Sequence, residues 1–265
     1  MATFTGTVLS NTLNMNTSLT VLTPKRFEGN LCELPVVYLL HGLSENNSDW
    51  HDKAPLTTLC DLYKIIFVLP QVERSFYTDM EFGLDYFTYI TQELPLLCNK
   101  YFGLSLEPQK SYVFGMSMGG YGALKCALSL PERYAGCCAF SSVCDVAEWV
   151  NGFGKPYYKE YQAIWGMQLE HLAENCLYNI SDKCVKAGIP KTKFYMTCGT
   201  EDFLYEGNVK LQKHLASLGL DFTYEEWSGA HEWRFWIKSL FKACEHLWGE
   251  IPPHKPLPVF QLNKS

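Results

Sequence analysis

The chain has 265 residues, 47% of them hydrophobic and 15% aromatic, and 22 Lys and Arg against 28 Asp and Glu give a formal charge of −6. So much apolar material offsets the entropy of ordering a chain, which excludes intrinsic disorder, and the length fits one α/β domain. A mildly acidic chain without a block of like charges is poorly matched to a nucleic-acid backbone or an anionic membrane.

The amino-terminal Met1 to Gly6 lacks the basic and apolar regions of a signal peptide, and no apolar run nears the ~18–20 residues that span a bilayer. A cytoplasmic protein is expected. The eleven cysteines are odd in number and form no Cys-x-x-Cys pair, and Cys126, Cys137, Cys138 and Cys198 lie inside apolar runs. They read as buried thiols of a reducing compartment. None of the seven histidines falls at ligand spacing with them, so no metal is expected.

In chain order, residues 3–10 and 14–23 predict an antiparallel pair at a sheet edge. The runs Pro35–Leu40 and Ile65–Pro70 are continuous and apolar, as parallel strands buried on both faces are. Residues 80–101 predict a helix, with Pro95 kinking it or starting a second one. A strand at Ser111–Phe114 feeds Gly115-Met-Ser-Met-Gly-Gly120, and Ala123, Leu124, Ala127 and Leu128 continue at helical spacing until Pro131. Further strands are predicted at 134–140, 193–198 and 222–227. Leu204, Leu211, Leu215 and Leu218 mark one helix, and Trp233, Ile237, Leu240, Cys244 and Leu247 a last amphipathic one.

Alternating strands and helices imply a mostly parallel twisted sheet with helices on both faces. Residues 145–190 are aromatic-rich and hold no clear strand, so they predict a cap insertion over the carboxyl edge of the sheet. The chain reads as one domain, 1–265, with a proline-rich extended tail from Pro252.

Gly-x-Ser-x-Gly between a strand and a small-residue helix is the context of a nucleophile elbow, and it singles out Ser117. A serine hydroxyl needs a nearby base, and His231 sits on a Gly-containing loop after the last strand. The imidazole needs a carboxylate to fix its tautomer. Asp202 follows a buried strand and completes the chain order Ser, Asp, His, with Glu201 and Asp145 as rivals. An acyl-transfer site also needs donors for the developing oxyanion. Met118 beyond the nucleophile and Leu43, in preference to Gly42, are placed to give backbone N–H groups. His41 reads as a structural hydrogen-bonder, and Arg74 as a solvated ion pair beside a glutamate. Phe76 and Tyr77 are expected to wall an acyl pocket, and Trp165 and Trp233 to stack on an aryl group or a sugar.

Together Leu39-Leu-His-Gly-Leu43 with Asp49-Trp50, Ser75-Phe-Tyr-Thr-Asp79, Gly115-Met-Ser-Met-Gly-Gly120, Gly199-Thr-Glu-Asp-Phe203 and Gly229-Ala-His-Glu-Trp233 resemble the esterase D-like branch of the α/β-hydrolases. That branch includes tributyrin, feruloyl and acetyl esterases and S-formylglutathione hydrolases. The resemblance is nearest to the tributyrin and carbohydrate-ester group. It implies an α/β-hydrolase fold and serine carboxylesterase activity on short acyl or aryl esters. It also implies no cofactor, with Ser117 as nucleophile, Asp202 as acid and His231 as base. The expected partner is a small-molecule ester; neither nucleic acid nor membrane is expected, and a homo-oligomer stays open. Alternatives are a thioesterase of the S-formylglutathione hydrolase kind, an acyltransferase on the same fold, and a non-catalytic binding protein on a hydrolase scaffold.

Overall fold

The computed structural model describes residues 2–25, 27–188 and 190–250. Its centre is one sheet of eight strands: β1 (Ala2–Ser10), β2 (Met15–Thr23), β3 (Val36–Leu40), β4 (Ile66–Pro70), β5 (Ser111–Met116), β6 (Gly136–Phe140), β7 (Lys193–Gly199) and β8 (Phe222–Trp227). The spatial order is β1-β2-β4-β3-β5-β6-β7-β8. The expected amino-terminal pair is antiparallel and β2 joins β4 antiparallel, whereas all pairings from β4 to β8 are parallel.

Continuous apolar strands follow from having both faces covered. Val36, Tyr38 and Leu40 of β3 enter one core, with Val113 of β5 and the helices Met118–Ser129, Leu177–Ala187 and Tyr205–Ser217. Val37 and Leu39 alternate into a second core with Phe114, Phe140 and the helices Leu56–Tyr63 and Trp233–Trp248. Strand alternation thus divides one sequence run between two cores. All eleven cysteines are free thiols; those at 126, 137, 138 and 198 are buried, as their apolar surroundings predict.

The predicted helix at 80–101 is shorter and less regular. Asp79 and Asp85 pair as an isolated bridge, and helical structure begins at Tyr86, where Asp79 accepts from the Thr88 N–H at 2.8 Å. Tyr89–Glu93 forms a π-helical turn before the α-helix Leu94–Phe102, whose first turn holds Pro95. Proline cannot donate to the carbonyl four residues back, here that of Thr91, and Arg133 donates to that oxygen instead.

Between β6 and β7 the described chain is helical, with α-helices at Val146–Asn151, Tyr158–Trp165 and Leu177–Ala187. Among the described residues no helix is long and apolar enough to cross a membrane. The extended tail expected from Pro252 lies outside the described residues.

Candidate active site

The turn between β5 and the helix Met118–Ser129 holds Ser117 at φ 57° and ψ −120°. A non-glycine residue there stores strain of about 1–3 kcal/mol and persists only where its surroundings impose it. The Ser117 N–H donates to Phe140 O at 2.9 Å, and its carbonyl accepts from Val143 at 3.2 Å and Tyr121 at 3.1 Å. Two glycines allow the turn. A Cβ at Gly115 would strike the carbonyl of Gly119, and one at Gly119 would strike the carbonyls of Leu40 and His41. The helix therefore abuts the loop that follows β3.

His231 comes from the loop after β8. That loop lies directly on the end of β7, because Gly199 has no side chain to meet the Gly229 carbonyl. Glu201 accepts from the Gly229 N–H and from Ser228 Oγ at 3.3 Å, so it braces the loop and does not touch the imidazole. Asp145, the other rival, caps the helix Val146–Asn151 by accepting from Ala147 at 2.9 Å and Glu148 at 3.0 Å.

Asp202 faces the imidazole. Its side chain is fully buried, accepts from Leu204 N at 2.9 Å, and lies 2.9 and 3.1 Å from His231 Nδ1. An ionised carboxylate only accepts, so the proton is on Nδ1 and Nε2 is left as an acceptor. The Ser117 hydroxyl donates to Nε2 at 3.0 Å. Trp236 meets the imidazole edge-on at 4.9 Å and Phe203 covers it at 4.6 Å. Side chains 114 positions apart in the chain are joined in one line of hydrogen bonds.

The loop after β3 is pinned atom by atom. Trp50 Nε1 donates to Leu40 O at 3.1 Å, and the Tyr77 hydroxyl to His41 O at 2.8 Å. His41 is buried; its Nδ1–H donates to Gly42 O at 2.8 Å and its Nε2 accepts from Val72 N at 3.2 Å. Burial pulls the His41 pKa below the usual histidine range, consistent with a neutral structural ring. The Gly42 N–H donates to Glu45 Oε2 at 3.0 Å. Among the described residues the amide of Leu43 has no such acceptor, and Met118, the first residue of its helix, directly follows Ser117.

The expected substrate contacts fare differently. Phe76, Tyr77 and Trp165 have no exposed surface. Phe76 and Tyr77 are consecutive left-handed residues, at φ 50° and 49°, and the turn buries both rings. Phe76 packs on Trp165 at 5.3 Å and Tyr161 at 5.7 Å, whereas Tyr77 supports His41. These rings back the site from inside the core and do not line an open pocket. Trp233 keeps partial exposure and stacks edge-on with Trp50 at 5.0 Å. Arg74 pairs with Glu160 at 2.7 Å, not with the adjacent Glu73, and its Nη1 donates to Leu43 O at 3.4 Å. Sequence reasoning missed Glu45 and Phe203. Glu45 lies three residues beyond Gly42, at turn spacing, and Phe203 adjoins Asp202.

With this geometry in place the chain can be set beside known proteins. A family model described as "Putative esterase" matches residues 10–247. The chain belongs to the esterase family. An acetyl esterase of Caldicellulosiruptor saccharolyticus is 32% identical to this esterase over 258 residues, 89% of this chain and 94% of that one. Among solved structures, the substrate-bound fluorophosphonate-binding serine hydrolase F of Staphylococcus aureus has a TM-score of 0.82 at 26% identity, over 94% of this esterase and 99% of its own chain. An S-formylglutathione hydrolase of the same organism gives 0.80 at 25%, over 92% and 98%. The esterase has the α/β-hydrolase fold, and it is a carboxylic ester hydrolase of the serine type.

Proposed function

We propose that this esterase hydrolyses short-chain acyl esters, acetyl esters foremost, through an acyl-enzyme on Ser117. The observation that carries the proposal is the line Ser117 Oγ, His231 Nε2, His231 Nδ1, Asp202, with separations of 3.0 and 2.9 Å. Ser117 Oγ attacks the ester carbonyl while its proton passes to His231 Nε2. The buried Asp202 carboxylate holds the tautomer and stabilises the imidazolium. The N–H groups of Leu43 and Met118 receive the oxyanion. Leu43 is preferred over Gly42 because Glu45 already takes the Gly42 hydrogen. His231 then protonates the leaving alcohol, and water activated by the same imidazole releases the acid.

The acetyl preference is supported by the name and the extensive match of the Caldicellulosiruptor relative. Residues 1–265 are proposed to act as one domain, with about 145–190 as a cap tied to the body by Arg74 and Glu160. The free thiols support a reducing, cytoplasmic setting. The test is a chain-length series of p-nitrophenyl esters. Acetate and butyrate should be cleaved with the highest kcat/KM and octanoate far less. No cleavage, or a preference for octanoate, would overturn the reading.

A further inference from the structure

A cleft of about 190 Å³ opens beside the triad, between the segment that follows β6 and the segment that follows β7. One wall includes Val143, whose N–H is bonded to the Ser117 carbonyl. The opposite wall begins at Phe203, whose ring covers His231. Phe203 stacks in turn on Phe153 at 4.8 Å, and Phe153 on Trp149 at 6.3 Å. Phe153 and Phe203 are 62% and 47% exposed, so their faces are open to an incoming group in a way that Phe76, Tyr77 and Trp165 are not.

The strand order relates the cleft to the proposed oxyanion donor. The proposed oxyanion donor Leu43 follows β3, on one side of β5 in the sheet, whereas β6 and β7 lie on the other. The carbonyl oxygen is drawn toward β3. In the proposed reaction the atom that His231 must protonate is the leaving oxygen, and Phe203 is the ring that covers that imidazole. Three carboxylates, Asp145, Glu148 and Glu206, line the same cleft. Lys210 pairs with Glu148 at 2.7 Å, which leaves three negative charges against one positive.

We infer that the ladder Phe203–Phe153–Trp149 forms the leaving-group subsite, selecting esters of neutral aromatic or other flat apolar alcohols and disfavouring anionic ones. This rests on the proposed function, in which Ser117 and His231 carry the chemistry. An apolar face recognises a planar ring, and the carboxylate rim raises the cost of bringing a second anion into a half-desolvated cleft. Glutathione, with two carboxylates and one ammonium, is the kind of leaving group such a rim opposes.

The test compares benzyl acetate with methyl acetate, whose leaving alcohols are of similar acidity, and with 4-(acetoxymethyl)benzoate, the carboxylate analogue of the benzyl ester. In Phe153→Ala, a substitution at an exposed position outside the triad, the benzyl-to-methyl ratio of kcat/KM should fall about tenfold. In the unaltered protein at low salt the benzyl ester should be preferred over its carboxylate analogue by about tenfold, and Glu206→Lys should remove most of that preference. A benzyl-to-methyl ratio unmoved by Phe153→Ala, or an anion preference unmoved by Glu206→Lys, would overturn the subsite. Failure of the unaltered protein to cleave any of the three acetates would instead overturn the proposed function beneath it.

Discussion

Glu45 Oε2 accepts the Gly42 N–H at 3.0 Å, closing a turn next to Leu43, the proposed oxyanion donor. Burial pushes the Glu45 carboxyl above the usual carboxylate range, a cost tolerated because the bond aligns the loop. Glu45→Ala should therefore lower kcat about tenfold with little change in KM, since a misaligned donor weakens only the transition state. Glu45→Gln, which can still accept, should recover most of the rate. Steady-state kinetics on p-nitrophenyl acetate decide this, and a wild-type kcat in Glu45→Ala would show that the turn has no part in catalysis.

Gly119 transmits packing between helix and loop. An added methyl would press on the Leu40 and His41 carbonyls, both of which are backbone atoms already engaged by Trp50 and Tyr77. Overpacking of this kind costs about 1–3 kcal/mol, so Gly119→Ala should lower the urea midpoint and depress kcat together. A variant with wild-type values of both would mean that the loop yields freely.

Asp202→Asn removes the charge proposed to fix the imidazole tautomer while keeping the shape of a buried side chain. The rate should fall about 10⁴-fold, as it does when the same change is made in other triads. Glu201, whose carboxylate braces the neighbouring loop at Gly229 and Ser228, offers the contrast: Glu201→Gln should cost far less. Equal losses in the two variants, measured as kcat/KM, would contradict the assignment of the acid.

Lys125 predicts a pH dependence of stability. Its ammonium lies buried against Thr78 Oγ1 at 2.7 Å and Asn175 Oδ1 at 2.5 Å, and burial pushes its pKa down to about 7. The unfolded chain, with a lysine near 10.5, binds more protons than the folded one between the two values. Relative to Lys125→Met, the unaltered protein should gain stability as pH rises above 7, approaching about 1.4 kcal/mol per pH unit. Below pH 7 the difference should flatten. Urea unfolding of both proteins from pH 6 to 9 checks this, and a constant difference would refute it.

The sheet was legible because burial on both faces forces continuous apolar runs, and β3 and β4 fall within one residue of Pro35–Leu40 and Ile65–Pro70. The three residues of the proposed triad could be singled out because each lies in a loop that follows a strand, where turn chemistry and residue type coincide. What escaped depends on pairings between distant segments. Arg74 finds Glu160 across 86 positions, and Arg133 completes the bond that Pro95 withholds from Thr91. The burial of Phe76, Tyr77 and Trp165 was equally hidden, because an aromatic run in sequence looks the same whether it lines a pocket or fills a core. The stacking of Phe203 on His231 needed the relative placement of β7 and the loop after β8.

The most direct measurement is intact-protein and peptide mass spectrometry after reaction with a fluorophosphonate. A hydroxyl made nucleophilic by His231 should take up one equivalent, with the adduct on the peptide that contains Ser117. Ester hydrolysis should fall in proportion, and Ser117→Ala should neither label nor turn over. Labelling at another residue, or near wild-type hydrolysis by a folded Ser117→Ala, would contradict the account.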